Sequence, residues 1–114
     1  MRIEEREVDI CEYLKHPFEE ALLLDVRDAS VFTHGSLPGA VNLPLSEIGR
    51  LYDLPRDRKI CVFCQAGEIS RSITELLLDA GYDAYHLAGG YREYIQKVIG
   101  PTLHEEPTGE EASE

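Results

Sequence analysis

The chain has 114 residues, 43% of them hydrophobic, with 22 acidic against 11 basic side chains and a formal net charge of −11. That length suits one domain with one core, and no apolar run approaches the roughly 18 residues that would cross a membrane. The acidic balance disfavours direct nucleic-acid binding, which draws on basic patches, and suits solubility or a basic protein partner.

The first residues, Met1-Arg-Ile-Glu-Glu-Arg-Glu7, are charged throughout and lack the hydrophobic segment of a secretory signal, so a cytoplasmic location is expected. Ile3 and Val8 suggest an edge strand or its neighbourhood. Asp9 can cap a short helix over 10–16 that Pro17 closes, with Cys11 on the apolar face beside Ile10 and Leu14 and therefore read as core. Residues 21–26 form an apolar run interrupted only by Asp25, the pattern of a strand covered on both faces. Asp28 is placed to cap a turn of helix through Phe32. From His34 to Pro44 two glycines and two prolines punctuate a short strand over 40–42. Ser46 then starts a short helix through Leu51, and residues 55–58 lead polar into the next strand.

The segment from Lys59 to Gly81 organises the rest. Ile60 to Phe63 run into Cys64, a loop around Gly67 follows, and Ile73, Leu76, Leu77 and Ala80 recur at the spacing of one helix face. This is strand, loop, helix, with Gly81 suited to the position just past the helix. Residues 84–87 predict another strand, Gly89-Gly90 a turn, and Tyr91, Tyr94, Ile95 and Val98 a last amphipathic helix stopped by Gly100-Pro101. Beyond Pro101 there are five acidic residues and no Lys or Arg, so the body carries 11 basic against 17 acidic, a net −6. The expected organisation is a domain over 1–100 and an acidic, disordered tail over 101–114. Strands alternating with helices predict a mostly parallel sheet between helical layers.

A strand feeding a helix turns its loop toward the strand's carboxyl end, where open α/β sheets bind ligands. The first N–H groups of a helix lack intrahelical partners, so a sulfur held over them is favoured as a thiolate, and cysteines so placed are nucleophiles at neutral pH. Gly67 can take backbone angles that let successive N–H groups curl around one anion. Cys64 is thus the candidate nucleophile, against the plainer alternative of a buried structural cysteine. Cys61 and Cys64 spell C-x-x-C, but alternation along the strand sends them to opposite faces, which disfavours a dithiol pair. A zinc site would need a second pair; neither a metal nor a cofactor is expected. Asp25 invites three readings: a hydrogen bond to the active loop, a cap, or an ion pair with Arg27. His86 is read as a packed core residue.

Several phrases resemble the rhodanese (sulfurtransferase) domain family. Leu24-Asp-Val-Arg27 resembles its Asp-Val-Arg signature, and Phe32-Thr-His-Gly-Ser-Leu-Pro-Gly-Ala-Val-Asn-Leu-Pro44 is similar to its Gly-His-Ile-x-Gly-Ala-x-Asn-Ile-Pro stretch. Cys64-Gln-Ala-Gly67 resembles the start of its active-site loop, and residues 80–90 its closing segment. The resemblance implies an α/β, three-layer fold with a five-stranded, mostly parallel sheet flanked by helices. It also implies a sulfurtransferase that carries sulfur as a persulfide on Cys64. Thiosulfate or a protein persulfide would load it, and a thiol, cyanide or protein acceptor would take the outer sulfur. The loop residues Gln65, Ala66, Gly67, Glu68, Ile69, Ser70 and Arg71 would hold the substrate, with Asp25 and Arg27 in support.

Departures from the family pattern sharpen the expectation. In Cys-x-x-Gly-x-Arg-Ser the Arg position holds Ile69, the Ser position holds Ser70, and Arg71 comes one later. An Arg offers oxyanions a planar donor fork, which Ile69 cannot. The resulting form resembles the rhodanese domain of tRNA 4-thiouridine synthetases, which implies sulfur relayed between proteins, a cysteine desulfurase among the donors, and poor use of thiosulfate. Val31 stands where the family often has an acidic residue, and Gly35-Ser36 replaces its Gly-His pair. Two alternatives remain: a non-catalytic interaction module on the same fold, and a phosphatase or arsenate reductase. The last uses Cys-x5-Arg loops, whereas six residues separate Cys64 from Arg71.

Overall fold

In the computed structural model, which describes residues 2–100, the chain runs β1 (Glu7–Asp9), α1 (Ile10–Lys15), β2 (Leu22–Asp25), α2 (Ala29–Thr33), β3 (Val41–Asn42), β4 (Ile60–Phe63), α3 (Glu68–Asp79), β5 (Ala84–Ala88) and α4 (Gly90–Tyr94). Short 3-10 segments cover Ile3–Arg6 and Leu45–Asp53, and a π-helical stretch, Ile95–Ile99, continues α4. The five strands form one parallel sheet in the order β1-β5-β4-β2-β3. The run of apolar residues in β4 places it at the centre, where all four side chains are buried, as a strand covered on both faces requires.

Alternation along β4 divides the core in two. Ile60, Val62 and Cys64 face Leu22, Leu24, Leu51, Ile73 and Leu77 on one side. Cys61 and Phe63 face Ile10, Tyr13, Leu37 and Leu87 on the other, against α1 and α4. The two cysteines of the C-x-x-C therefore lie on opposite faces, as expected from the two-residue period.

Asp9 caps α1, its carboxylate accepting from the N–H groups of Cys11 and Glu12 at 3.0 and 3.2 Å. Three expectations are corrected. Asp28 precedes α2 but its side chain makes no capping bond. The segment expected to start at Ser46 begins at Leu45 after Pro44 and is two 3-10 turns meeting at a kink at Glu47. Cys11 is only half-buried, because α1 is an outer helix of six residues and its flank reaches the surface. Gly100 follows the last helical residues as their C-cap, with helical angles (φ −55°, ψ −48°); Pro101 and the acidic tail lie outside the described residues. Among the described residues no helix is long and apolar enough to cross a membrane.

Candidate active site

The carboxyl ends of β2, β4 and β5 point the same way, so the segments that leave them meet at one edge of the sheet. The segment after β4 carries Cys64 and turns at Gly67 (φ +110°) into α3. That left-handed angle swings the main chain back over the sulfur. The N–H of Gly67 donates to Cys64 Sγ at 3.1 Å and the N–H of Ser70 at 3.3 Å. The thiol donates to Ser70 Oγ at 3.2 Å, and that hydroxyl donates to the Gly67 carbonyl at 3.2 Å. Cys64 is 4% exposed, so its sulfur sits at the floor of the loop with these donors converging on it.

Of the loop amides expected to hold the sulfur, those of Gly67 and Ser70 do so. Ala66, Glu68 and Ile69 form the exposed rim, with Ile69 46% exposed. The Arg71 guanidinium donates to Glu7 Oε2 at 3.1 Å and Glu4 Oε2 at 3.4 Å, so in this structure it is held by the N-terminal segment. Its place in the first turn of α3 leaves two directions open, and the acidic N-terminal segment beside that turn supplies the stronger partner.

Glu7 Oε2 also meets His86 Nδ1 at 3.0 Å. His86 is thus a packed residue, as read from the sequence, but a half-satisfied one. Its Nε2 is buried without a hydrogen-bond partner among the described residues, beneath Gly67.

Asp25 resolves in favour of the ion pair. Its carboxylate is fully buried and accepts from Arg27 Nη2 at 2.7 Å, from Arg27 Nε at 3.0 Å and from the Arg27 main-chain N–H at 2.9 Å. Ser36 Oγ donates to the same carboxylate at 2.7 Å. Arg27 then reaches outward, donating to Gly35 O at 2.6 Å and to Gln65 Oε1 at 3.3 Å while its guanidinium stacks 4.2 Å above the Tyr91 ring. The pair thereby supports the active loop through Gln65. Gly35 and Ser36 close this network without the imidazole of the family's Gly-His pair. Removing the carboxylate leaves a buried guanidinium without its counter-charge, so Asp25→Ala is expected to cost about 3–5 kcal/mol. The urea midpoint, compared with that of Ser36→Ala, checks this.

Gly89-Gly90 is more than the plain turn expected from the sequence. Both glycines have positive φ, and the turn they make presses on the loop: the N–H of Tyr91 donates to Cys64 O at 2.8 Å and that of Arg92 to Gln65 O at 3.0 Å. A Cβ on Gly90 would lie 2.5 Å from Gln65 O and 2.7 Å from Cys64 O. The signal available in the sequence was a glycine pair directly after a strand of the parallel sheet, on the edge where Cys64 emerges.

Residues 11–97 match the Rhodanese-like domain family. The chain belongs to that family. A thiosulfate sulfurtransferase of Actinobacillus succinogenes is 40% identical over 75 residues, covering 64% of this chain and 68% of that protein. A tRNA sulfurtransferase of Desulfurococcus amylolyticus is 32% identical over 75 residues, which span 66% of this chain but only 15% of that much longer protein. Among solved structures, a rhodanese-related protein from Thermoplasma volcanium superposes with a TM-score of 0.75 at 26% identity, over 82% of this chain and 93% of the other. The chain is a sulfurtransferase of the rhodanese type.

Within this rhodanese domain the other two cysteines are poor nucleophiles. Burial pushes the Cys61 thiol up to about 11. Burial, together with the charges of Glu93 and Asp9, also raises that of Cys11. Both remain protonated thiols at neutral pH, and neither sits under converging main-chain donors.

Proposed function

We propose that Cys64 carries sulfane sulfur as a persulfide and passes it from donor to acceptor in two steps. The observation that supports this reading is the pair of N–H donors from Gly67 and Ser70 on its Sγ. In the first step the Cys64 thiolate attacks the outer sulfur of thiosulfate or of a protein persulfide. A new S–S bond forms, the donor's S–S bond breaks, and sulfite or the donor thiolate leaves with the electron pair. In the second step an acceptor thiolate, cyanide or a protein takes that sulfur and Cys64 leaves as thiolate. No net oxidation occurs, and the two main-chain donors offset the negative charge each time it returns to Sγ.

The donor we favour is a protein persulfide, such as that of a cysteine desulfurase, with thiosulfate used poorly. Neither of the two loop positions from which a cation could reach an oxyanion offers a free one: Ile69 is apolar and Arg71 is engaged by Glu4 and Glu7. The exposed, partly apolar rim of Ala66 and Ile69 suits a protein surface. The setting proposed is the cytoplasm, where free thiols stay reduced.

Mass spectrometry after exposure to each donor tests the reading, with gain of one sulfur atom on Cys64 expected. A cysteine desulfurase should load Cys64 faster than thiosulfate does, and Arg71→Gln should leave the slow thiosulfate rate unaltered. Efficient thiosulfate turnover overturns the donor preference. Absence of any adduct supports a binding module instead, and turnover of an aryl phosphate supports a phosphatase.

A further inference from the structure

A cleft of about 390 Å³ opens beside the active loop at Gln65, walled by Val31, Tyr91 and Ile95 and by two guanidinium groups, Arg27 and Arg92. Nothing in the chemistry above uses it. Its size suits a small molecule more than a protein segment, and it begins one residue from the nucleophile.

The charges in it differ in what they already hold. Arg27 is neutralised by the buried carboxylate of Asp25, as Arg71 on the far side of the loop is by Glu4 and Glu7. Arg92 has no carboxylate partner among the described residues. Its main chain is fixed to the loop by the bond from its N–H to Gln65 O at 3.0 Å, so the side chain projects from a pinned position into the cleft. The described body as a whole repels anions, having 17 acidic against 11 basic residues up to position 100. An exposed cation with no carboxylate partner among the described residues, set against that acidic background, favours one anionic group at that spot.

We propose that this cleft receives the acceptor of the second step, and that the acceptor is a small thiol bearing a carboxylate, which Arg92 binds. The inference rests on the persulfide reading of Cys64. The carboxylate pairs with the Arg92 guanidinium, the carbon chain between carboxylate and sulfur lies against Val31, Ile95 and the Tyr91 ring, and the thiolate is directed at the loop. It attacks the outer sulfur of the Cys64 persulfide. The new S–S bond forms on the acceptor, the bond to Sγ breaks with its electron pair going to Sγ, and the proton of the persulfide leaves with the acceptor. The protein donor approaches the rim at Ile69, so donor and acceptor have separate seats.

The test measures kcat/KM for transfer from loaded Cys64 to three thiols of similar size: 3-mercaptopropionate, neutral 2-mercaptoethanol and cationic cysteamine. Comparing the same thiol between parent and variants cancels its own nucleophilicity. Arg92→Gln is expected to lower the ratio of 3-mercaptopropionate to 2-mercaptoethanol about tenfold, the weight of one charge-assisted pair. Arg92→Lys should retain most of the preference, and Arg92→Glu should turn it toward cysteamine. Mass spectra of the same samples report sulfur on Cys64. If the persulfide forms but the ratios are the same in all four proteins, the Arg92 assignment is overturned and the persulfide reading stands. If no sulfur is found on Cys64 of the parent, both are overturned.

Discussion

Cys64→Ser should abolish sulfur uptake by the protein and lower transfer between any donor and acceptor by about a thousandfold or more, since no other group replaces a nucleophile that becomes covalently attached. The fold should survive. A hydroxyl in place of the thiol can still accept from the N–H groups of Gly67 and Ser70, so the loop keeps its bonds and stability should change by no more than about 1 kcal/mol. Mass spectrometry after donor treatment and a denaturant titration check the two halves separately. Sulfur remaining on the Ser variant would transfer the role to Cys11 or Cys61, whose raised thiols argue against it.

Gly90→Ala should be the most damaging single methyl group in the domain. Its φ of +68° lies in the left-handed region, which costs a residue with a Cβ about 1–2 kcal/mol. The new methyl would also stand 2.5–2.8 Å from the main-chain atoms of Gln65 and Cys64, and none of these is the end of a flexible side chain. Overpacking of that kind adds about 1–3 kcal/mol. Relief of the clash moves the loop, so the folded fraction should also transfer sulfur poorly as the amides of Gly67 and Ser70 drift from Sγ. Gly39→Ala separates strain from crowding. It shares a positive φ, +82°, but its Cβ would have nothing within 4 Å, so only the backbone cost should appear and activity should be kept. Urea midpoints and transfer rates of the two variants, side by side, decide the matter.

Much of the fold was legible because its signals are short-range. The unbroken apolar run of β4, the helical spacing of Ile73, Leu76 and Leu77, and Gly81 at φ +90° each express a backbone preference contained within one element. Cys64 at a strand end before a glycine and a helix could be read the same way. The 3-10 geometry after Pro44 escaped because a few residues of helical spacing do not separate a tight turn from an α-helical one.

What the chain order could not state is which partner each polar group chooses. Arg71 had a free choice between the loop and solvent until the sheet placed β1 beside β5 and brought Glu4 and Glu7, more than 60 residues earlier, against the start of α3. His86 met Glu7 by the same pairing. Gly90 became a clamp on Cys64, and Arg92 part of the wall of a cleft, only when β5 settled next to β4. The residues by themselves determined a parallel α/β domain with a cysteine at the mouth of a helix, because dihedral preference and hydrophobic period act over a handful of positions. The tertiary structure alone decided which charges were neutralised and which have no carboxylate partner among the described residues, because Coulomb and hydrogen-bond energies depend on distances that strand order, not sequence separation, sets.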